Sequence, residues 1–278
     1  MKIFKLWLIA GSSLISLQSI AQKSPEKKYD KNVSNFSVTA GAGIANYFGD
    51  LIEGNNYFSQ PNYSFSLGAT YTVSKHFSAR LDLGIQKVQA ADRKNKREDF
   101  KARNLSFKSN VFDLSLAAEY NMLDGNKYMI VPYISAGIGL VFFAPYAYDV
   151  TGKKYSLREL GTDGQGLAGY PGLYNNIALE FPIGFGFKYP LSENVNVQFE
   201  FNYRFTRTDY LDDVSKNRYP DKALLDAKKP LTSQFTWRGY ELGGEPYPKN
   251  LNLPRGNPNN KDGYYTTQIK IAINLPKN

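Results

Sequence analysis

The sequence predicts an all-β protein: an eight-stranded antiparallel transmembrane β-barrel of the outer-membrane type, with long extracellular loops. Three observations predict it. Stretches of the chain alternate apolar and polar residues, most cleanly in Val195-Asn196-Val197-Gln198-Phe199-Glu200-Phe201-Asn202-Tyr203-Arg204-Phe205. Successive strand side chains point to opposite faces, so this segment carries one oily face and one wet face. Second, eight such stretches are joined by connections that alternate long and short, the signature of a barrel with short periplasmic turns and both termini in the periplasm. Third, the N-terminus reads as an export signal: Lys2 and Lys5, an apolar run from Leu6 to Ile20, then Ser19-Ile20-Ala21 with cleavage before Gln22. Gly11, Ser12, Ser13 and Gln18 interrupt that run, and it is too short and polar for a spanning helix.

The expected organisation is a signal peptide over 1–21, a flexible periplasmic lead-in over 22–34 (QKSPEKKYDKN and flanking residues) and the barrel over 35–278. Strand 1 runs from about Asn35 to Tyr47, with Phe36, Val38, Ala40, Ala42 and Ile44 on one face. Strand 2, about Asn62 to Val73, sets Tyr63, Phe65, Leu67, Ala69 and Tyr71 against Ser64, Ser66, Gly68, Thr70 and Thr72. The turn Ser74-Lys75-His76 leads into strand 3, about Phe77 to Val88, and a charged loop (ADRKNKREDFKAR) follows. Strand 4 spans about Leu105 to Met122, and Asp124-Gly125 in the next turn is a hairpin signal. Strand 5, about Tyr128 to Phe143, is Gly-rich, and a long loop runs from Ala144 to Asn175. Strand 6, about Asn176 to Tyr189, precedes the short turn Pro190-Leu191-Ser192-Glu193-Asn194 and strand 7, quoted above. The longest loop, Thr208 to Asp262, leads to strand 8, where Tyr265, Thr267, Ile269, Ile271 and Ile273 alternate with polar residues. A structureless segment of that length inside a compact soluble domain counts against an assignment; on an outer-membrane barrel it is ordinary.

A soluble eight-stranded barrel also alternates, with its apolar face inward. Here the polar face is rich in Gly, Ser, Thr and Ala, suited to a narrow interior. It carries charges of both signs: Arg80, Asp82, Asp113, Glu119, Glu180, Lys188, Glu200, Arg204 and Lys270. Paired inside the barrel they close it, so no open channel is expected. The formal charge of +9 falls to +7 once Lys2 and Lys5 leave with the signal. The basic residues are scattered, so lipid phosphate or a protein partner suits them better than nucleic acid. With no cysteine there is no disulfide framework.

Nothing in the chain reads as catalytic. A lipid-modifying barrel needs a nucleophile with a histidine base near the outer rim; the one histidine, His76, falls in a short turn at the other end. Glu119, Glu180 and Glu200 read as an interior ion-pair network. Asp209, Asp212 and Asp213 offer oxygen ligands without regular Ca²⁺-loop spacing and read as a capping turn, with Arg207 or Arg255 as partners. Gly161-Thr162-Asp163-Gly164-Gln165-Gly166 lacks the Lys-Ser/Thr of a phosphate loop. No cofactor, metal or small-molecule substrate is expected.

Four words carry a family resemblance: Asn46-Tyr47-Phe48-Gly49-Asp50-Leu51; Leu160-Gly161-Thr162-Asp163-Gly164-Gln165-Gly166; Thr208-Asp209-Tyr210-Leu211-Asp212-Asp213-Val214-Ser215; and Arg255-Gly256-Asn257. In this order they resemble the PorG-like family of Bacteroidetes outer-membrane proteins, a component of the type IX secretion system. The resemblance implies a non-enzymatic barrel that associates with a periplasmic PorK/PorN ring and serves protein secretion, and gliding in species that glide. It implies structural or partner-contact roles for Asn46, Tyr47, Gly49, Asp50, Gly161, Gln165, Asp209, Tyr210, Asp212, Asp213 and Arg255, and no catalytic residue. The alternative is a stand-alone barrel acting as a surface binder or adhesin, or as a lipid-modifying enzyme.

Overall fold

In a computed structural model that describes residues 33–52 and 58–276, eight antiparallel strands close into a barrel. They are β1 Val33–Phe48, β2 Asn62–Thr72, β3 Phe77–Ala91, β4 Ser106–Asn121, β5 Val131–Tyr148, β6 Ile177–Pro190, β7 Val195–Thr206 and β8 Gly263–Pro276. Each pairs with its neighbours in the chain, and β1 pairs with β8 from Phe48↔Gly263 to Val33↔Pro276, which closes the ring. The expected signal peptide over 1–21 and residues 22–32 of the expected lead-in lie outside the described residues; β1 begins at Val33, ahead of the expected boundary at 35.

The barrel is apolar outside and polar inside. On the outer face Leu67 is 62% exposed and Ile269 61%, whereas the inward carboxylates of Asp113 and Glu180 are sealed at 0%. In water this arrangement would leave most of the hydrophobic stabilisation unrealised; in a bilayer the apolar strand faces meet hydrocarbon. Aromatic rings gather at both ends of the outer face: Phe36 with Tyr71 and Phe77 with Tyr120 at the short-turn end, Tyr203 with Phe205 and Phe201 with Tyr265 at the long-loop end. Such belts mark the two membrane–water interfaces.

The interior is filled. Near the short-turn end, Arg80 contacts Asp82 (2.8 Å), Glu119 (3.1 Å) and Glu200 (2.6 Å). Lys270 reaches Glu200 at 2.6 Å, Lys188 meets Glu119, and the Tyr133 hydroxyl donates to Glu200 at 2.9 Å. Three cations thus face three carboxylates. Towards the long loops, Arg204 lies 3.6 Å from Asp113 and 3.8 Å from Glu180. Small inner-face residues make the room: a side chain at Gly41 would stand 2.6 Å from Ser66 Oγ and 2.7 Å from Lys270 Cγ. All nine charges named from the sequence lie on this inner face.

Three local expectations change. The Asp124-Gly125 signal does not build a tight hairpin: Gly125 has no positive φ, Asp124 Oδ1 instead accepts from the Asn126 amide (3.0 Å), and the connection runs to Ile130. β5 continues past Phe143 to Tyr148, because Ala144 and Tyr146 keep pairing with Asn110 and Lys108 on β4. A short strand, Lys154–Ser156, adds to its far end. The long loops are also built rather than structureless, with helices α1 Glu98–Arg103, α2 Leu157–Leu160, α3 Lys222–Lys228 and α4 Pro230–Thr236.

Candidate functional site: a loop cap over one barrel mouth

The four long connections fold onto one another and cap one end of the barrel. Their buried apolar residues (Leu51, Leu105, Leu157, Leu160, Leu211, Val214 and Phe235) form one cluster with barrel residues Tyr47, Val88, Phe107 and Tyr264. Polar contacts then set how the loops fit together.

Arg255 holds the centre. It is 2% exposed, and its guanidinium binds the Asp163 carboxylate, the Asp213 carbonyl (3.1 Å), Thr162 Oγ1 (2.7 Å) and the Thr236 carbonyl (3.4 Å). Asp163 in turn accepts from the Ser215 (2.9 Å) and Lys216 (3.3 Å) amides. Arg103 repeats the device from the second loop: two of its nitrogens bind Asp92 at 2.7 and 2.8 Å, and a third donates to the Arg255 carbonyl. Asp50 of the first loop accepts from the Asn257 amide at 2.6 Å. Arg207, the other cation offered by the sequence, is exposed; its backbone amide donates to the Leu179 carbonyl at 2.9 Å, and its guanidinium pairs with no acid among the described residues.

The loop words acquire physical meanings. Gly161, Gly164 and Gly166 all have positive φ (71°, 87° and 77°), a region that non-glycine residues enter at a cost. The Gly-rich word is therefore a chain of left-handed turns, and the Gln165 side chain accepts from the Asp163 amide at 2.9 Å. Asp213 takes a left-handed φ of 66°, held by the Thr162 hydroxyl and by Tyr174, whose hydroxyl donates to Oδ1 at 2.7 Å. Tyr174 stacks on Tyr210 with centroids 4.3 Å apart. At Gly49 any side chain would collide with Tyr47 and Asp262. Asn46 faces the outer side of β1 at the rim, opposite Tyr265, and is fully buried there.

Tyr47 supplies the site's chemistry. Its hydroxyl lies 2.6 Å from Asp212 Oδ2 and 2.8 Å from Asp262 Oδ1. A hydroxyl donates one proton, so one of these carboxyls must itself carry a proton to bond it. Electrostatics agree. Burial, then Asp262 and Asp50, push Asp212 well above the carboxylate range; burial, then Asp209, does the same to Asp262. Burial pushes Asp50 and Asp209 up to about 6, and Asp213 up to about 7 against the opposing pull of Arg255. The remaining charged neighbours of the acid group are Arg103, Asp163, Lys216 and Lys261, the last 3.9 Å from Asp209. Among the described residues no three acids converge as metal ligands.

A pH dependence follows. Acids whose folded pKa is raised bind more protons folded than unfolded, so their contribution is full below about pH 4 and is lost as pH rises through 6–7. The cap should therefore be tighter at pH 5 than at pH 8. Hydrogen exchange of the Leu211 and Val214 amides, corrected for intrinsic rates, should show at least about tenfold weaker protection at pH 8, or about 1.4 kcal/mol. Equal protection would contradict it.

Asp163, Thr162, Asp92, Arg103 and Asp262 were not singled out from sequence, although Asp163 and Thr162 lie inside one of the words. The outer-membrane protein β-barrel domain model matches residues 8–222. The chain belongs to that family. As a member it is an integral outer-membrane protein. No curated protein matches the chain. Among solved structures it is similar to Neisserial surface protein A (12% identity, 88% of this chain and 100% of that one, TM-score 0.46). It is also similar to OprG from Pseudomonas aeruginosa (11% identity, 88% and 97%, TM-score 0.40) and to the outer membrane enzyme PagL (14% identity, 86% and 99%, TM-score 0.31). These likenesses concern shape and assign no activity.

Proposed function

We propose that this family member is a non-enzymatic barrel subunit of the type IX protein secretion system, and of the gliding machinery where one exists. Its long loops face the exterior, and its short-turn end and termini face a periplasmic ring of the PorK/PorN type. The observation that carries the reading is the meeting of all four resemblance words in one cap. Asp50, Asp163, Asp213, Arg255 and Asn257 come from four separate words, and all of them hydrogen-bond within the cap. A fitted lid with no reactive group suits a structural subunit. His76 supports the same reading, since its Nδ1 is engaged by the Asn121 carbonyl at 2.8 Å at the short-turn end, away from the cap.

The test is a clean deletion, followed by the export of cargo bearing a type IX C-terminal signal and affinity recovery of ring proteins from gently solubilised membranes. Lost export with ring proteins recovered is the expected result; normal export refutes the proposal. Orientation is read separately. The chain has no native cysteine, so single cysteines at Ser192 and Asn259 can be labelled on intact cells, with labelling expected only at 259.

A further inference from the structure

The outer face of the barrel is not uniform where its apolar band ends. On the β3–β4–β5 side the last apolar row towards the long loops is Ile85, Phe112 and Phe142, aligned across the three strands. The next outward row begins with Lys87 opposite Asn110, and the row after it holds Lys108 opposite Tyr146. Tyr148 and Lys154 pair one row further on. Three lysines and two tyrosines thus stand one to three pleats above hydrocarbon-facing side chains, on a single wall.

Their packing holds the ammonium groups at this level. Lys154 Nζ lies 3.9 Å and Lys87 Nζ 5.6 Å from the Tyr146 ring centroid, and Lys108 Nζ lies 5.6 Å from that of Tyr148. The lysine stems help cover Tyr146, which is 4% exposed. None of the three has an ion-pair partner among the described residues. Asp149, in the turn before the short strand, is engaged by Thr151 Oγ1 (2.7 Å) and the Lys153 amide (2.9 Å). The rest of the rim is different. It presents the apolar side chains of Ile177, Phe205, Phe48 and Tyr63, with the exposed Arg207 at the end of β7.

We propose that this lysine–tyrosine wall is a binding site for the phosphorylated headgroup of an outer-leaflet glycolipid, whose acyl chains lie on the apolar rows of β3–β5 below it. Charge complementarity and continuity with the lipid-facing band argue for a lipid rather than a protein. The number of cations argues for a headgroup with more than one phosphate: Lys87 and Lys154 flank the same Tyr146 ring, and Lys108 lies over the neighbouring Tyr148 ring. Tyrosine hydroxyls at this depth add donors to the headgroup sugar.

The test is native mass spectrometry of the full mature chain in neutral detergent, with bisphosphorylated lipid A, its dephosphorylated form, or phosphatidylglycerol. Wild type should retain bisphosphorylated lipid A and shed the other two. Each lysine beside a phosphate is worth about fivefold, so Lys87→Gln/Lys108→Gln/Lys154→Gln should lower retention by about a hundredfold. Arg207→Gln, on the opposite rim, should leave it unchanged. Equal retention of the dephosphorylated lipid, equal retention of phosphatidylglycerol, or a triple variant that binds like wild type overturns the proposal. Heat-modifiable gel mobility confirms that each variant is folded; if the triple variant is not, exposed Lys154→Gln alone should still lower retention about fivefold.

Discussion

Glu200→Leu should cost the barrel about 3–5 kcal/mol, the typical consequence of removing one partner from a buried ionic cluster. Glu200 is 2% exposed and receives Arg80, Lys270 and the Tyr133 hydroxyl, all of them inside the barrel. Arg80 keeps Asp82 and Glu119 in the variant, but Lys270 is left with only the distant Asp82 carboxylate at 3.9 Å. The urea midpoint of the folded, heat-modifiable form in lipid vesicles measures the loss. Adding Lys270→Met removes the stranded cation, so the double variant should be more stable than Glu200→Leu alone. If the two changes are simply additive, Lys270 is not held by Glu200 in the way its 2.6 Å contact indicates.

Arg255→Ala should act at a different place and leave that midpoint nearly untouched. It deletes the side chain joining Asp163, Thr162, Asp213 and Thr236, and it strands the Asp163 carboxylate in a buried site. A penalty of about 3–5 kcal/mol falls on the cap alone, enough to let the third and fourth long loops part. Trypsin should then cut after Lys216, which in the wild-type cap is half-buried with its carbonyl bound by the Gly256 amide at 2.6 Å, while the eight-stranded core survives digestion. Arg255→Lys should not restore protection, because an ammonium lacks the planar fork that reaches Asp163 and Thr162 together. A wild-type digestion pattern in Arg255→Ala would show that the apolar cluster around Leu211 and Phe235 holds the cap without it.

The barrel was legible because its signal is local. A two-residue period survives in any window, so seven of the eight strands fall close to their expected positions and the long/short order of connections follows. Where the period meets Gly and Pro it blurs, and the expected strand 5, about Tyr128 to Phe143, lies several residues ahead of the observed Val131–Tyr148 for that reason. The cap was legible only in fragments. Arg255 and Asp163 are 92 residues apart, and Tyr47 and Asp262 are 215 apart, separations at which no spacing rule operates. What the sequence does show at such positions is residue chemistry out of place: glycines in runs, paired aspartates, an arginine before a glycine. Asp92 and Arg103 carried no such mark, since they sat in a loop already crowded with charge.

The pairing of β1 with β8 has a consequence for how this molecule comes to exist. Every other neighbouring pair is also consecutive in the chain, so those hairpins can zip in order of synthesis. The seam cannot. Until β8 is available, β1 and β7 each present a row of open amides and carbonyls that invite wrong partners, and the cap lacks Asp262, the residue that begins at the seam's upper end. Closing the seam brings together segments more than 200 residues apart and bears the entropy of the largest loop in the chain. The last strand therefore acts as a completeness check: a chain stopped short of it retains seven of its strands and loses both the ring and the lid.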